Sequence, residues 1–206
     1  WLSLRMTAAK FQAQGPVGRE GTQLNLFARF MFILFAALRG RPASDPLEPT
    51  RIGLRVWMTD HAFAPTVPLH RIRSYTDLAT INSVIRIGLG RLIRRNGWLP
   101  IIQAESIRQT GDLRFPQKIE VVTSIVGWQE NYVCYVHEVF AGSERVAVSS
   151  MLARIIGRKG SAVAISGIAQ DLGAPERSPV IAPQFQAMIA ESERGRALSM
   201  NPSRPA

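Results

Sequence analysis

From residue 51 onward the apolar positions follow two periods in turn. Residues 51–58 (RIGLRVWM) alternate, with Ile52, Leu54 and Val56 on one face, which predicts a half-buried strand. Residues 59–70 hold two prolines and no sustained period, so a loop is expected. From 73 to 95 apolar residues return at intervals of three and four, through Tyr75, Leu78, Ile81, Ile85, Leu89 and Leu92. That spacing predicts one face of a helix against a core. Ser74 reads as the N-cap, with Asp77 three residues later, and Asn96–Gly97 as the stop. Residues 98–110, 117–127, 130–140 and 144–157 predict four more strands. Short turns at 127–130 and 141–143 make antiparallel hairpins of the later ones. An antiparallel sheet needs one face covered, and the long helix is the element able to cover it. The expected class is α+β: a five-stranded antiparallel sheet wrapped round one long central helix.

The pattern before residue 51 is different. Residues 24–38 (LNLFARFMFILFAAL) are apolar without a break from 30 to 38, and Arg39 and Arg41 follow. A spanning helix needs about 20 apolar residues, so the stretch is short. Three readings compete: a helix lying in the membrane interface, a helix packed on protein, and a short span. In the interfacial reading Phe27, Phe30, Phe32, Ile33 and Phe35 would meet the membrane, with Arg29 and Arg39 at the headgroups. A cleaved signal peptide fits poorly, because the run starts late and lacks a clear cleavage site. Residues 40–50 carry three prolines and a glycine and read as a linker. The chain thus divides into an N-terminal extension (1–23), an N-terminal apolar helix (24–39), the linker (40–50), the domain (51–160) and a C-terminal tail (161–206). The tail is expected to be mobile, with a short exposed helix at 184–196. Trp1 stands where a Met would open a chain, which implies an internal fragment or a true start such as Met6.

Composition narrows the function. With 206 residues, 46% of them hydrophobic, the chain has enough for one domain of ordinary size. The single cysteine, Cys134, excludes an intrachain disulfide and cysteine-based structural zinc. His61, His70 and His137 show no metal-ligand spacing, so no metal is expected. The net charge is +10 and uneven, with +5 in residues 1–58 and +5 in residues 71–95. Such a surface suits anionic lipid or phosphorylated ligands, or is simply a solvated basic face. No zinc finger, RNP-like motif or basic zipper appears, so nucleic acid is not an expected partner.

Three stretches resemble a known family: DPLEPTRIGLRVWMTD (45–60), IRIGLGRLIRRNGWLPII (85–102) and IVGWQE (125–130). They are similar to the recurring strand end, the post-helix glycine–tryptophan and the glycine–tryptophan–x–glutamate hairpin of hotdog-fold, 4-hydroxybenzoyl-CoA thioesterase-like proteins. The resemblance is closest to the membrane-associated acyl-CoA thioesterase-like subgroup and covers roughly residues 24–160. It implies hydrolysis of acyl-CoA or other acyl thioesters without cofactor, by a homodimer or larger assembly on the cytoplasmic face of a membrane. A carboxylate would act as base or nucleophile, and helix N-terminal amides would polarise the carbonyl.

By position, Asp60 matches the family's loop aspartate and Asp77 the acidic residue of the central helix. The loop's further polar signature is absent: Ala62, Thr66, Pro68, Leu69 and Ile72 stand where an aspartate, a histidine, two asparagines and a tyrosine are usual. His70 and Tyr75 would be displaced substitutes only if the loop is reregistered. That loss favours a second class of function: a non-catalytic homologue binding an acyl chain or lipid, or a structural subunit of a membrane complex. Each candidate also has a plain reading. Asp60 is a base or nucleophile, or a strand-end turn residue or salt-bridge partner. Asp77 is a catalytic acid, or a charge stabilising the helix N-terminus. His61 is a proton carrier, or an ordinary loop histidine. His137 reads as structural, and Glu105 and Glu138 as strand-face residues at the sheet border or a subunit interface. Arg91, Arg94 and Arg95 bind phosphates of CoA or of lipid headgroups, or cap the helix.

Overall fold

The computed structural model describes the backbone of residues 19–40, 42–61 and 64–200, and side chains for 28–40, 42–61, 64–158 and 160–197. The element order is α1 (Arg19–Arg39), β1 (Thr50–Arg55), α2 (Leu69–Arg86), α3 (Leu89–Asn96), β2 (Leu99–Gln109), β3 (Lys118–Gln129), β4 (Tyr132–Ala141), β5 (Glu144–Ile156), α4 (Ile165–Asp171) and α5 (Pro183–Met200). A 3-10 turn, Met58–Asp60, follows β1. All five strands join one antiparallel sheet in the order β1-β3-β4-β5-β2. The meander β3-β4-β5 forms its centre, and α2 lies across one face. The expected class and the sheet-round-helix arrangement are both found.

The alternation read along the strands sorts the two faces. In β4, Val133, Tyr135, His137 and Val139 point toward α2, while Tyr132 and Cys134 point away. From α2, Ile72, Tyr75, Leu78, Ala79 and Asn82 are buried, at the three- and four-residue spacing of one helix face. In β1, Val56 just past the strand end is fully buried, and the alternating Arg51, Gly53 and Arg55 are exposed.

Four features differ from expectation. The central helix starts at Leu69, not near Ser74, because Pro68 occupies the N-cap with an extended backbone (φ −75°, ψ 157°). Proline suits this point, where no intrahelical N–H is required. Ser74 is therefore interior, its hydroxyl directed at the His70 carbonyl. The helix also ends early. Gly88 takes φ +84°, a left-handed conformation that glycine adopts without strain, and α3 leaves in a new direction. Gly97 does end α3 with φ +65°. Third, β2 carries a register shift between Ile102 and Ala104. Fourth, the C-terminal region is not an exposed tail. Phe185 is fully buried and Ile189 nearly so, both packed with Tyr132, Cys134 and Leu152 on the sheet face opposite α2. Ile181, Phe185, Met188 and Ile189 supply that stripe, so the sheet is covered on both sides.

Helix α1 docks on α2 and the turn after β1. Arg29, Ile33 and Ala37, spaced four apart, form its docking stripe; Ile33 is 4% and Ala37 5% exposed. Phe32, Phe35 and Leu38 are 70%, 54% and 66% exposed. Arg39 lies over the Phe35 ring at 3.8 Å. Two of the residues expected at a membrane, Arg29 and Ile33, thus face the protein, and Phe30 is half-buried. The Phe27 side chain lies outside those described. No helix among the described residues is long and apolar enough to cross a membrane.

Candidate active site

The two carboxylates named by the sequence occupy different surroundings. Asp60 is 3% exposed and closes the turn after β1. Arg29 reaches in from α1 and donates to both oxygens, at 3.2 Å to Oδ1 and 2.8 Å to Oδ2. The Trp57 backbone N–H and the Tyr75 hydroxyl each donate to Oδ2 at 2.8 Å. A third Arg29 bond, 2.9 Å to the Arg55 carbonyl, holds the guanidinium in place. Burial, and then the Asp60 charge, push the Tyr75 phenol well above its ordinary range. Four donors engage the Asp60 carboxylate, three of them at Oδ2. Geometrically it is the salt-bridge partner of α1.

His61 is also engaged. Its Nε2 accepts from the Phe115 N–H at 2.9 Å, so Nδ1 carries the proton and donates to the Ala64 carbonyl at 3.1 Å. The ring staples two loops together, with both nitrogens in hydrogen bonds. Ala62, one of the loop positions compared above, lies outside the described residues.

Asp77 is placed otherwise. It sits eight residues into α2, roughly 12 Å from the helix start at 1.5 Å per residue, too far for N-terminal charge stabilisation. The amides of that first turn are correspondingly distant from it. Asp77 borders an apolar cavity of about 380 Å³ between α2 and the sheet, with Thr80, Val84, Ile102, Tyr135 and Met151 among its walls. Its Oδ1 is buried and has no hydrogen-bond partner. Its pKa is raised, first by burial and second by the Glu105 charge, with Arg73 opposing.

Glu105 is the residue that sequence reasoning misplaced. It lies on the edge strand β2, but its side chain is 6% exposed and points to α2, accepting from Thr76 at 3.2 Å and Ser149 at 2.8 Å, with Arg73 at 3.1 Å. Glu138 lies on the central strand β4, not at the sheet border, and its partly exposed side chain pairs with Arg145.

His137 completes the polar groups beneath α2. It is fully buried, with Nδ1 2.9 Å from the Thr123 hydroxyl and Nε2 3.3 Å from that of Thr80. Thr80 already donates to the Thr76 carbonyl, so Nε2–H donates to Thr80 and Thr123 donates to Nδ1. Burial lowers the His137 pKa to about 4 from 6.5. The unfolded chain therefore takes up this proton at a higher pH than the folded one. The stability that comes from keeping His137 neutral is present above pH 6.5 and is lost as pH falls toward 4, by about 3 kcal/mol. Urea melts across that window should show the slope, and His137→Gln should flatten it; an unchanged slope would mean that other groups carry it.

Arg91, Arg94 and Arg95 lie together on α3 at a separate cavity, and His70 is exposed at the first turn of α2. Among the described residues no group of three or more His, Cys, Asp or Glu is arranged to hold a metal ion. Burial pushes the Cys134 thiol up to about 12, which removes thiolate character at neutral pH.

No family model matches the chain, and no curated protein matches it in sequence. Solved structures do match in shape. One is a probable thioesterase from Escherichia coli (TM-score 0.56, 10% identity, 59% of this chain and 94% of that one). Another is a 4-hydroxybenzoyl-CoA thioesterase mutant complexed with 4-hydroxybenzoyl-CoA (TM-score 0.55, 15% identity, 60% and 97%). The fold is a hotdog fold. A DHNA-CoA thioesterase from Staphylococcus aureus is similar over more of this chain (TM-score 0.52, 9% identity, 76% and 97%). Identities this low speak for the hotdog architecture alone, so the chemistry has to be argued from the side chains.

Proposed function

We propose that this hotdog protein is an acyl-thioester hydrolase in which Asp77 is the general base. The acyl group would occupy the apolar cavity between α2 and the sheet. The observation that carries the reading is the unpartnered, buried Oδ1 of Asp77 at the wall of that cavity. A carboxylate whose pKa is raised by burial is better matched to taking a proton from water near neutral pH. A thioester is already activated, so a positioned base and water are the main requirements. The cavity's size suits an acyl chain or aromatic ring rather than a bulky polar group. The direct test is hydrolysis of a panel of acyl-CoAs of graded chain length. Turnover on at least one chain length is expected; none on any would overturn the reading.

One observation favours a second reading. The carboxylate at the position of the family's loop aspartate is sealed by Arg29, as expected of a homologue that binds an acyl chain without cleaving it. Such a protein would retain acyl-CoA or fatty acid in the same cavity, with no product formed.

The exposed face of α1, with Phe32, Phe35 and Leu38, supports contact with a membrane surface. Exchanging Phe32 and Phe35 for Ser should abolish sedimentation with phosphatidylcholine–phosphatidylserine vesicles. Equal sedimentation of the variant would remove α1 from that role.

A further inference from the structure

The break at Gly88 gathers arginines that an unbroken helix would scatter. At about 100° per residue, Arg86, Arg91, Arg94 and Arg95 would spread over roughly half of a single helix's circumference. With α3 turned away from α2, all four border one cavity of about 630 Å³. Pro42 and Ala43 line another side of it, and Asp171 is the single carboxylate on its wall. None of the four arginines makes an ion pair or donates a side-chain hydrogen bond among the described residues. Arg86 Nε is buried with no acceptor.

Helix-dipole stabilisation explains part of this. Arg86 lies in the last turn of α2, and Arg94 and Arg95 in the last turn of α3. It does not account for Arg91, nor for the convergence of all four on one concavity. A buried guanidinium N–H without an acceptor is unfavourable, and four like charges with one opposing carboxylate repel one another. A multiply charged oxyanion corrects both faults: its oxygens accept from the planar forks and its charge offsets theirs. A singly charged group would leave most of the excess in place.

We propose that this cavity binds a phosphomonoester or pyrophosphate group. The site requires no turnover at Asp77 and stands whether or not the protein hydrolyses thioesters. Two carriers present the same chemistry, a soluble phosphorylated molecule and a lipid headgroup. The cavity adjoins the end of α1: a methyl group built on Gly40 would lie 4.0 Å from an Arg86 terminal nitrogen.

The test is calorimetric titration of the full chain with inorganic pyrophosphate, at two salt concentrations. Wild type should bind, more weakly at higher salt. The double variant Arg91→Gln/Arg94→Gln, altered only at exposed positions, should bind roughly tenfold more weakly or worse. Arg51→Gln lowers net charge elsewhere, since Arg51 pairs with Glu120 on the sheet; it should bind as wild type does. Sedimentation with phosphatidylcholine vesicles containing phosphatidic acid separates the carriers. Co-sedimentation that pyrophosphate competes away, and that the double variant loses, supports a headgroup. Pyrophosphate binding without co-sedimentation supports a soluble carrier. Absence of pyrophosphate binding by wild type, or equal binding by the double variant, overturns the site.

Discussion

Asp77→Asn is expected to reduce thioester turnover by roughly 10²- to 10⁴-fold, the usual worth of a positioned general base, and at the same time to raise the melting temperature at neutral pH. The two effects share one cause. Asp77 has a folded-state pKa above its unfolded value, through burial first and the Glu105 charge second. A group shifted this way contributes stability below its unfolded pKa and loses it as pH rises through the folded pKa. At neutral pH the ionised carboxylate therefore opposes folding, and the neutral amide relieves it. The gain should vanish in acid, where the carboxyl is protonated in both states. Thermal melts at several pH values and kcat/KM on the best acyl-CoA measure both arms. A variant that melts lower and turns over normally would make Asp77 a structural residue.

Severing Arg29 from Asp60 is expected to cost about 3–5 kcal/mol, because one buried charge is left without its partner. The side chains are 10% and 4% exposed, so solvent screens the pair weakly. Arg29→Ala strands the Asp60 carboxylate, and Asp60→Ala strands the guanidinium. Arg29→Lys should fall between, since an ammonium keeps the charge but not the two-pronged geometry. Replacing both partners with apolar residues should cost less than either single change. Urea unfolding of the four variants forms the cycle. Losses under 1 kcal/mol for both single alanines would show that α1 is not anchored here.

The hydrophobic period was enough to place all five strands within three residues of their ends and to sort β4 into its two faces. Period reports that a face is buried, but not what buries it. The outward set Tyr132, Cys134 and Val136 is apolar because α5 covers it, and α5 arrives from some fifty residues later in the chain. Strict alternation also fails in β2. The register shift pairs Ile102 with Ala153 and Glu105 with Met151, and both partners face α2. A period of two puts residues 102 and 105 on opposite faces, so Glu105 could not be seen beneath the helix. Asp77 was visible as a candidate, but its setting was misread with the helix start. The partner of Asp60 lies 31 residues upstream in a segment whose composition pointed to lipid. Only the folded chain brings the two together.

Arg29 also fixes where α1 comes to rest. The apolar part of the docking stripe is short, Ile33 and Ala37 among the described side chains, so by itself it holds the helix only weakly against a slide of one turn, about 5.4 Å. Such a slide would bring Ile33 or Asn25 opposite Asp60 and leave the carboxylate without a cation. The buried pair therefore acts as a key to register, as a polar residue does within an apolar seam between helices. It adds to the apolar contact a condition that only Arg29 among the stripe residues meets.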